Sequence, residues 1–305
     1  MLRTMKELEG YAIAATDGVL GHVKDFYFDD QSWVIRYLVV DTGNWLLRRK
    51  VLISPFSIGP ADWEERILPV SLTMQQVKDS PDIDTERPVS RQYEMHYLGY
   101  YGYPQYWGGG ALWGAGMYPS LMLSGDFALP APTAQELAHH RQASDEAMHD
   151  GGYDLHLRSC KAVLGYHIRA NDGEIGHVQG MLVDEQTWAV RYLIVDTSNW
   201  WLGHQVLIAP KWIVQVNWVD ATVDVNLNRR AVRDAPDYLA TAKLDREQEE
   251  AIHRHYGQLG YWVDETAARP VSASASASAS ASASASAIAA ATAAAAADVA
   301  RNSQR

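Results

Sequence analysis

The sequence predicts a mainly β protein built from two tandem copies of one small module. Three observations lead there. The stretch Trp33–Pro55, WVIRYLVVDTGNWLLRRKVLISP, returns without a gap as WAVRYLIVDTSNWWLGHQVLIAP at Trp188–Pro210, 155 positions later. Runs of β-branched and aromatic residues are short and are separated by turn signals at roughly 8–12-residue intervals. The repeating unit is also too small and too poor in helical periodicity for an α/β layer fold, so a small barrel is the expected architecture, closed so that no long strand edge is left bare.

The elements follow in order. Residues 10–29 read as two strands joined at Asp17-Gly18, a dipeptide that accepts hairpin-turn angles, and the second copy keeps it as Asp172-Gly173. Gly21-His22-Val23 recurs as Gly176-His177-Val178, and the DDQSW turn at Asp29 recurs as DEQTW at Asp184. A third strand covers Val34–Val40. The polar turn Asp41–Asn44, matched by Asp196–Asn199, leads to a strand at Val51–Ile53 halted by Pro55, which has no amide to donate. A last strand is expected near Ile67–Leu72 and Thr222–Leu227, followed by a short polar helix ending at Ser80-Pro81 or Ala235-Pro236.

The match continues past the strands. A helix is predicted after Ser90 and after Asp245, where Asp245 and Gln248 have capping-box spacing. Aromatic segments follow at Tyr101–Trp107 and Tyr256–Trp262, and Tyr101, Trp107, Tyr256 and Trp262 are expected to pack back on the strands because of their large apolar area. The modules are therefore placed at 3–107 and 158–262. Residues 108–157 form a linker with a Gly/aromatic run and a predicted helix from Thr133 to Met148. Residues 263–305 are a Ser/Ala-rich tail with few large apolar side chains, expected to be disordered.

Composition narrows the role. With 26 basic and 37 acidic residues the net charge is −11, and residues 1–110 and 158–265 each carry 11 basic and 15 acidic side chains, a field that repels nucleic acid and anionic membranes. The single Cys160 excludes an intramolecular disulfide framework and a multi-cysteine zinc site and fits a reducing cytoplasm. It aligns with Met5, which points to a small buried apolar residue. No signal-length or membrane-length apolar run is apparent, and a soluble cytoplasmic protein is expected.

The DG hairpin, the G-H-V preceding an F-x-x-D turn, and the W-x-x-R-Y-L-V-V-D-T, N-W and V-L-I-x-P series resemble the PRC-barrel family, in a duplicated, soluble bacterial form. Relatives in that family include the cytoplasmic domain of the photosynthetic reaction centre H subunit and the C-terminal domain of a ribosome maturation factor. The resemblance implies two small β-barrels, each followed by a short helix and an aromatic segment, used for protein–protein contact and assembly, with no shared catalytic residue. A ribosome- or RNA-processing accessory, or a photosynthetic-complex-type assembly or electron-transfer accessory, is the alternative by the same analogy.

No phosphate-binding loop, nucleophile elbow or zinc-protease motif is present, and no enzyme, cofactor or metal site is expected. His22 and His177 with Asp25, Asp41 and Asp196 could form acid–base pairs, but Asp25 becomes Gly180 in the second copy, so the histidines read as structural. His253 and His255 with His204, and His139-His140 with His149, lack the spacing of a metal site. Arg36 and Arg191 sit mid-strand and call for a carboxylate or carbonyl partner. Asp17, Gly18, Asp41, Asn44, Asp172, Gly173, Asp196 and Asn199 are assigned to turns. The copies diverge at Trp45, Leu46, Leu47, Arg48 and Arg49 against Trp200, Trp201 and Leu202, followed by Gly203-His204. Those loops are the predicted contacts for a protein partner or a homo-oligomer, with no direct nucleic-acid contact and no membrane span.

Overall fold

The computed structural model describes residues 1–47, 49–81, 89–107, 110–122, 156–197, 204–239 and 244–263. Residues Met1–Leu259 form one compact unit, and Gly260–Arg305 a second, within which Tyr261 and Trp262 contact each other edge to face at 5.1 Å. The predicted linker helix, His139, His140, His149 and the tail from Val271 lie outside the described residues.

The first repeat contains β1 (Leu2–Thr4), α1 (Met5–Leu8), β2 (Ala12–Ala15), β3 (Gly18–Asp29), β4 (Val34–Asp41), β5 (Lys50–Ile53), β6 (Ile67–Pro69), α2 (Met74–Lys78) and α3 (Arg91–Tyr101). A short helix, α4 (Pro119–Met122), follows. The second repeat runs β7 (Leu157–Ser159), α5 (Cys160–Val163), β8 (His167–Ala170), β9 (Gly173–Asp184), β10 (Val190–Asp196), β11 (Gln205–Ile208), β12 (Ile213–Asn217), β13 (Thr222–Val225), α6 (Arg229–Arg233) and α7 (Arg246–His255).

The protein is mainly β, with one sheet per repeat. One sheet runs β5-β4-β3-β2-β6 and the other β11-β10-β9-β8-β13-β12. Among the described residues the strands at the two ends of each path do not pair with each other, so these sheets do not close. Pro55 and Pro210 each open a 3-10 turn directly after β5 and β11, where proline has no amide to donate to the ladder. Protection of strand edges is achieved instead by exchange between repeats. One side of β3 pairs with β2 over Gly18–His22, and the same side accepts β7 over Tyr27–Asp29. Reciprocally, β1 pairs with β9 over Leu182–Asp184.

The exchange is fastened symmetrically. Arg3 Nε donates to Glu185 at 3.1 Å while its guanidinium stacks 3.9 Å from the Trp63 ring centre. At the equivalent positions Arg158 Nε donates to Asp30 at 3.0 Å and lies 4.4 Å from the Trp218 ring. A guanidinium over an indole adds cation–π attraction to the ion pair. Ile35 N–H donates to the Trp188 carbonyl (2.8 Å) and Val190 N–H to the Trp33 carbonyl (2.7 Å). Both tryptophans are buried and take left-handed backbone angles, φ 54° and 58°, which a bulky side chain adopts only where packing over-determines it.

The turn before each tryptophan is the same one. Asp29 accepts the amides of Gln31 and Ser32, and Asp184 those of Gln186 and Thr187. The first hairpin differs from expectation by one residue: Ala15 pairs with Gly18 and Ala170 with Gly173, so Thr16-Asp17 and Asn171-Asp172 form the turns and the glycines open β3 and β9. The aspartates have another task there. Asp17 accepts the Met74 amide at 2.8 Å and Asp172 the Arg229 amide at 2.7 Å, each satisfying a free amide at a helix start.

The core draws on both sheets, including Ile13, Phe26, Tyr37, Leu38 and Ile53 and their second-repeat counterparts, with β4 buried on both of its faces. Cys160 is buried, as its alignment with Met5 predicts, and burial holds its thiol well above the usual range. Trp113, beyond the first repeat, is fully buried. It packs edge-on against Phe56 at 4.9 Å and donates its indole N–H to the Thr187 carbonyl of the second repeat at 2.8 Å.

Candidate functional site

The described residues of the loop joining β4 to β5 are held from within, and Leu47 stands exposed among them. Asp41 accepts the Gly43 amide at 2.9 Å, and Thr42 closes the loop through its hydroxyl to the Arg49 carbonyl at 2.6 Å. Asn44 is exposed. Trp45 is half-buried and donates its indole N–H to the Leu20 carbonyl at 2.6 Å, so it is a post that fixes the loop to the start of β3. Arg49 reaches the Lys78 and Ser80 carbonyls at 2.9 and 2.8 Å, which ties the other end to the terminus of α2. Between these posts Leu46 is half-buried, whereas Leu47 is 94% exposed with φ 51°. Val19, beside the Leu20 carbonyl that holds Trp45, is also exposed, at 56%.

The second repeat closes the same loop with Thr197, whose hydroxyl donates to the His204 carbonyl at 2.8 Å. Arg48, Asn199, Trp200, Trp201 and Leu202 lie outside the described residues. At the position of Val19 the second repeat carries Glu174, which pairs with His167 at 2.8 Å. The apolar neighbour of the loop is therefore specific to the first repeat.

A cleft of about 560 Å³ lies between the repeats, walled by Pro55, Pro60, Trp63, Tyr118 and Trp188, with Glu185 at its edge. Glu185 is already engaged by Arg3, so the remaining wall is chiefly apolar.

The proposed acid–base residues are placed as cross-strand neighbours. His22 stands opposite Asp41 and His177 opposite Asp196 in the β3–β4 and β9–β10 ladders. Asp25 is elsewhere: it accepts from the Ser159 hydroxyl at 2.6 Å and the Lys161 amide at 3.3 Å, anchoring the start of α5 after the exchanged strand. Burial raises its carboxyl above the usual range against those hydrogen bonds. The three histidines weighed as a metal cluster, His204, His253 and His255, are separated in role. His253 is buried with Nε2 3.0 Å from the Tyr192 hydroxyl, His255 donates to the Ala231 carbonyl at 2.7 Å, and His204 pairs with Asp237.

The arginines find carbonyl and hydroxyl partners. Arg36 donates to the Leu112 carbonyl at 2.7 Å and the Ser32 hydroxyl at 3.0 Å, with its guanidinium 3.8 Å from the Tyr106 ring and 4.8 Å from Trp113. Arg191 donates to the Thr187 hydroxyl at 3.0 Å and faces Asp184 at 3.5 Å.

The arrangement that sequence reasoning missed is a buried acid in the first turn of α3. Glu94 accepts from the hydroxyls of Tyr37 (3.1 Å) and Tyr106 and from Arg91 (3.1 Å). Burial pushes its carboxyl up to about 7, opposed by the hydrogen bonds of Tyr106 and Tyr37 and by the charge of Arg91. Glu249 holds the same place in α7, accepting from the Tyr192 hydroxyl at 3.1 Å. The clue was present: Tyr37/Tyr192 and Glu94/Glu249 are both kept at the 155-residue offset.

Tyr101 stacks on Tyr103 at 5.3 Å, which in turn packs on Phe56 at 5.4 Å, and Tyr256 packs against Trp212 at 4.8 Å, so these two members of the aromatic segments do return to the body of the unit. Trp107 lies beneath Arg91 at 4.3 Å. Among the described residues no helix is long and apolar enough to cross a membrane.

Comparison with known families gives one match: residues 3–68 fit the model of the PRC-barrel domain. No curated protein matches the chain.

Proposed function

We propose that this chain, whose first repeat carries a PRC-barrel domain, is a non-catalytic assembly protein that docks a protein partner through the first-repeat loop. In this reading the modules at 3–107 and 158–262 are two PRC-type barrels, the second a diverged copy, and the exchanged strands hold them as one rigid platform. The observation that carries the proposal is Leu47. A left-handed backbone at a non-glycine residue costs roughly 1–2 kcal/mol, and an exposed leucine forgoes roughly another 1.5–3 kcal/mol of burial. The isolated chain gains nothing from either, whereas a partner that covers Leu47 and Val19 recovers the second. Trp45 and Arg49 support the reading as the posts that pre-form the loop, which lowers the ordering cost of binding.

The test is affinity capture from the native cell with the wild-type chain and with Leu47→Asp, followed by mass spectrometry. A partner held by wild type and released by Leu47→Asp, with circular dichroism unchanged, supports the assignment. An identical set of captured proteins for both removes the loop from the proposal.

A further inference from the structure

The two repeats end their sheets differently. In the second, β12 is the last strand of the path and pairs with β13 alone. Its sequence is Ile-Val-Gln-Val-Asn, without a charge or a proline, and Val214 is 69% exposed with Gln215 exposed beside it. In the first repeat the positions of Val214 and Gln215 are Gly59 and Pro60. No strand forms there: only isolated bridges, Ile58 to Val70 and Asp62 to Ile67, remain, and α4 packs against the adjoining 3-10 turn. Proline on an edge is a standard protection against unwanted strand pairing, as are charges and covering elements. The first repeat has two of these devices. Among the described residues the second has neither proline, charge nor covering element on β12, and only a register shift between Ile213 and Gln215 interrupts that edge.

We propose that the β12 edge is a self-association site, through which two copies of the chain pair antiparallel. Self-pairing is favoured over capture of a foreign strand because the edge is self-complementary. Turned end for end about Gln215, it sets Val214 against Val216 twice and Gln215 against itself, with Ile213 meeting Asn217. Cross-strand β-branched pairs are among the favourable ones, and no like charges are brought together. The contact is isologous, so it closes at two copies and does not propagate. A five-residue edge supplies little area, which makes the dimer weak and concentration-dependent. The net charge of −11 opposes the approach of two copies, so added salt strengthens this dimer, the reverse of a complex held by ion pairs.

The experiment is light scattering of the full chain after size exclusion, from about 1 μM to about 1 mM, at low and at physiological salt. The expected result is a mass rising from 33.9 kDa toward twice that value, at lower protein concentration when salt is added. Gln215→Pro transfers the protection found at Pro60, and Val214→Lys places a charge on the edge without altering the backbone. Each should weaken the dimer at least about tenfold. Should Gln215→Pro lose its circular dichroism spectrum, Val214→Lys decides alone. A wild-type mass of 33.9 kDa throughout, or a dimer that Val214→Lys leaves intact, overturns the proposal. This inference is independent of the Leu47 loop: a monomeric wild type that still captures its partner defeats only the edge.

Discussion

The carbonyls of Trp33 and Trp188 accept hydrogen bonds across the repeat boundary, each from the residue two positions beyond the other tryptophan, at 2.7 and 2.8 Å. With the reciprocal addition of β1 to β9 and β7 to β3, this makes the two repeats halves of one structure with an internal pseudo-twofold relation. The covalent connection between them is not what holds them together.

A protease site inserted between residues 123 and 155 tests that relation. After cleavage of the folded chain, the fragments are expected to co-elute at the position of the uncut protein in size exclusion. Arg3→Ala with Arg158→Ala, which removes both stacked ion pairs, should make them separate at lower denaturant concentration.

Glu94 gives the protein a specific pH response. Its carboxyl lies near 7 when folded and 4.5 in a free chain, so the folded state holds the proton more tightly. The stability from this group is present in full below pH 4.5 and is lost as pH rises to about 7, on the order of 3 kcal/mol across that window. Urea denaturation at pH 5 and pH 8 should show the decrease in wild type and a flatter dependence in Glu94→Gln, with the variant the more stable of the two at pH 8.

Trp113→Ala removes a fully buried indole that touches Phe56, lies near the Arg36 guanidinium and caps the Thr187 carbonyl. A loss of about 3–5 kcal/mol is expected from the cavity and the orphaned acceptor, read as a lower denaturation midpoint. Trp113→Phe should recover most of it.

Gly21 and Gly176 stand at φ 149° and 144°, and a Cβ at either would lie 2.0 Å from the carbonyl oxygen of Asp41 or Asp196. Gly21→Ala is expected to cost about 3 kcal/mol or more in chemical denaturation, because both the angle and the approach are closed to a side chain. Gly10→Ala, at φ 79° but with open space around its Cα, should cost less.

Much of each sheet could be read from the chain, because its information is local. Alternation and turn residues place β3, β4 and β5, and Pro55 ends the last of them. The exchanged strands were not legible. Leu2–Thr4 and Leu157–Ser159 are three residues each, too short for periodicity, and their partners lie over a hundred residues away in sequence. Among the described residues the sheets do not close on themselves, and closure could not be read from the chain either: closure and exchange both satisfy a free edge, and composition does not distinguish them. At the loop, the sequence offered Trp45 through Arg49 as contacts alike and could not rank them. The Trp45 indole N–H is spent on Leu20, whereas Leu47 is exposed, with a backbone angle that no sequence pattern announces.

Reciprocal exchange also has a cost in time. During synthesis the first repeat leaves the ribosome with one side of Tyr27–Asp29 open and β1 without its receiving strand, since these partners are encoded about 130 and about 180 residues later. At about 5–20 residues per second those intervals span roughly 7–36 s. For that period the nascent chain presents an open strand edge, and on crowded polysomes the nearest matching edge belongs to a neighbouring nascent chain.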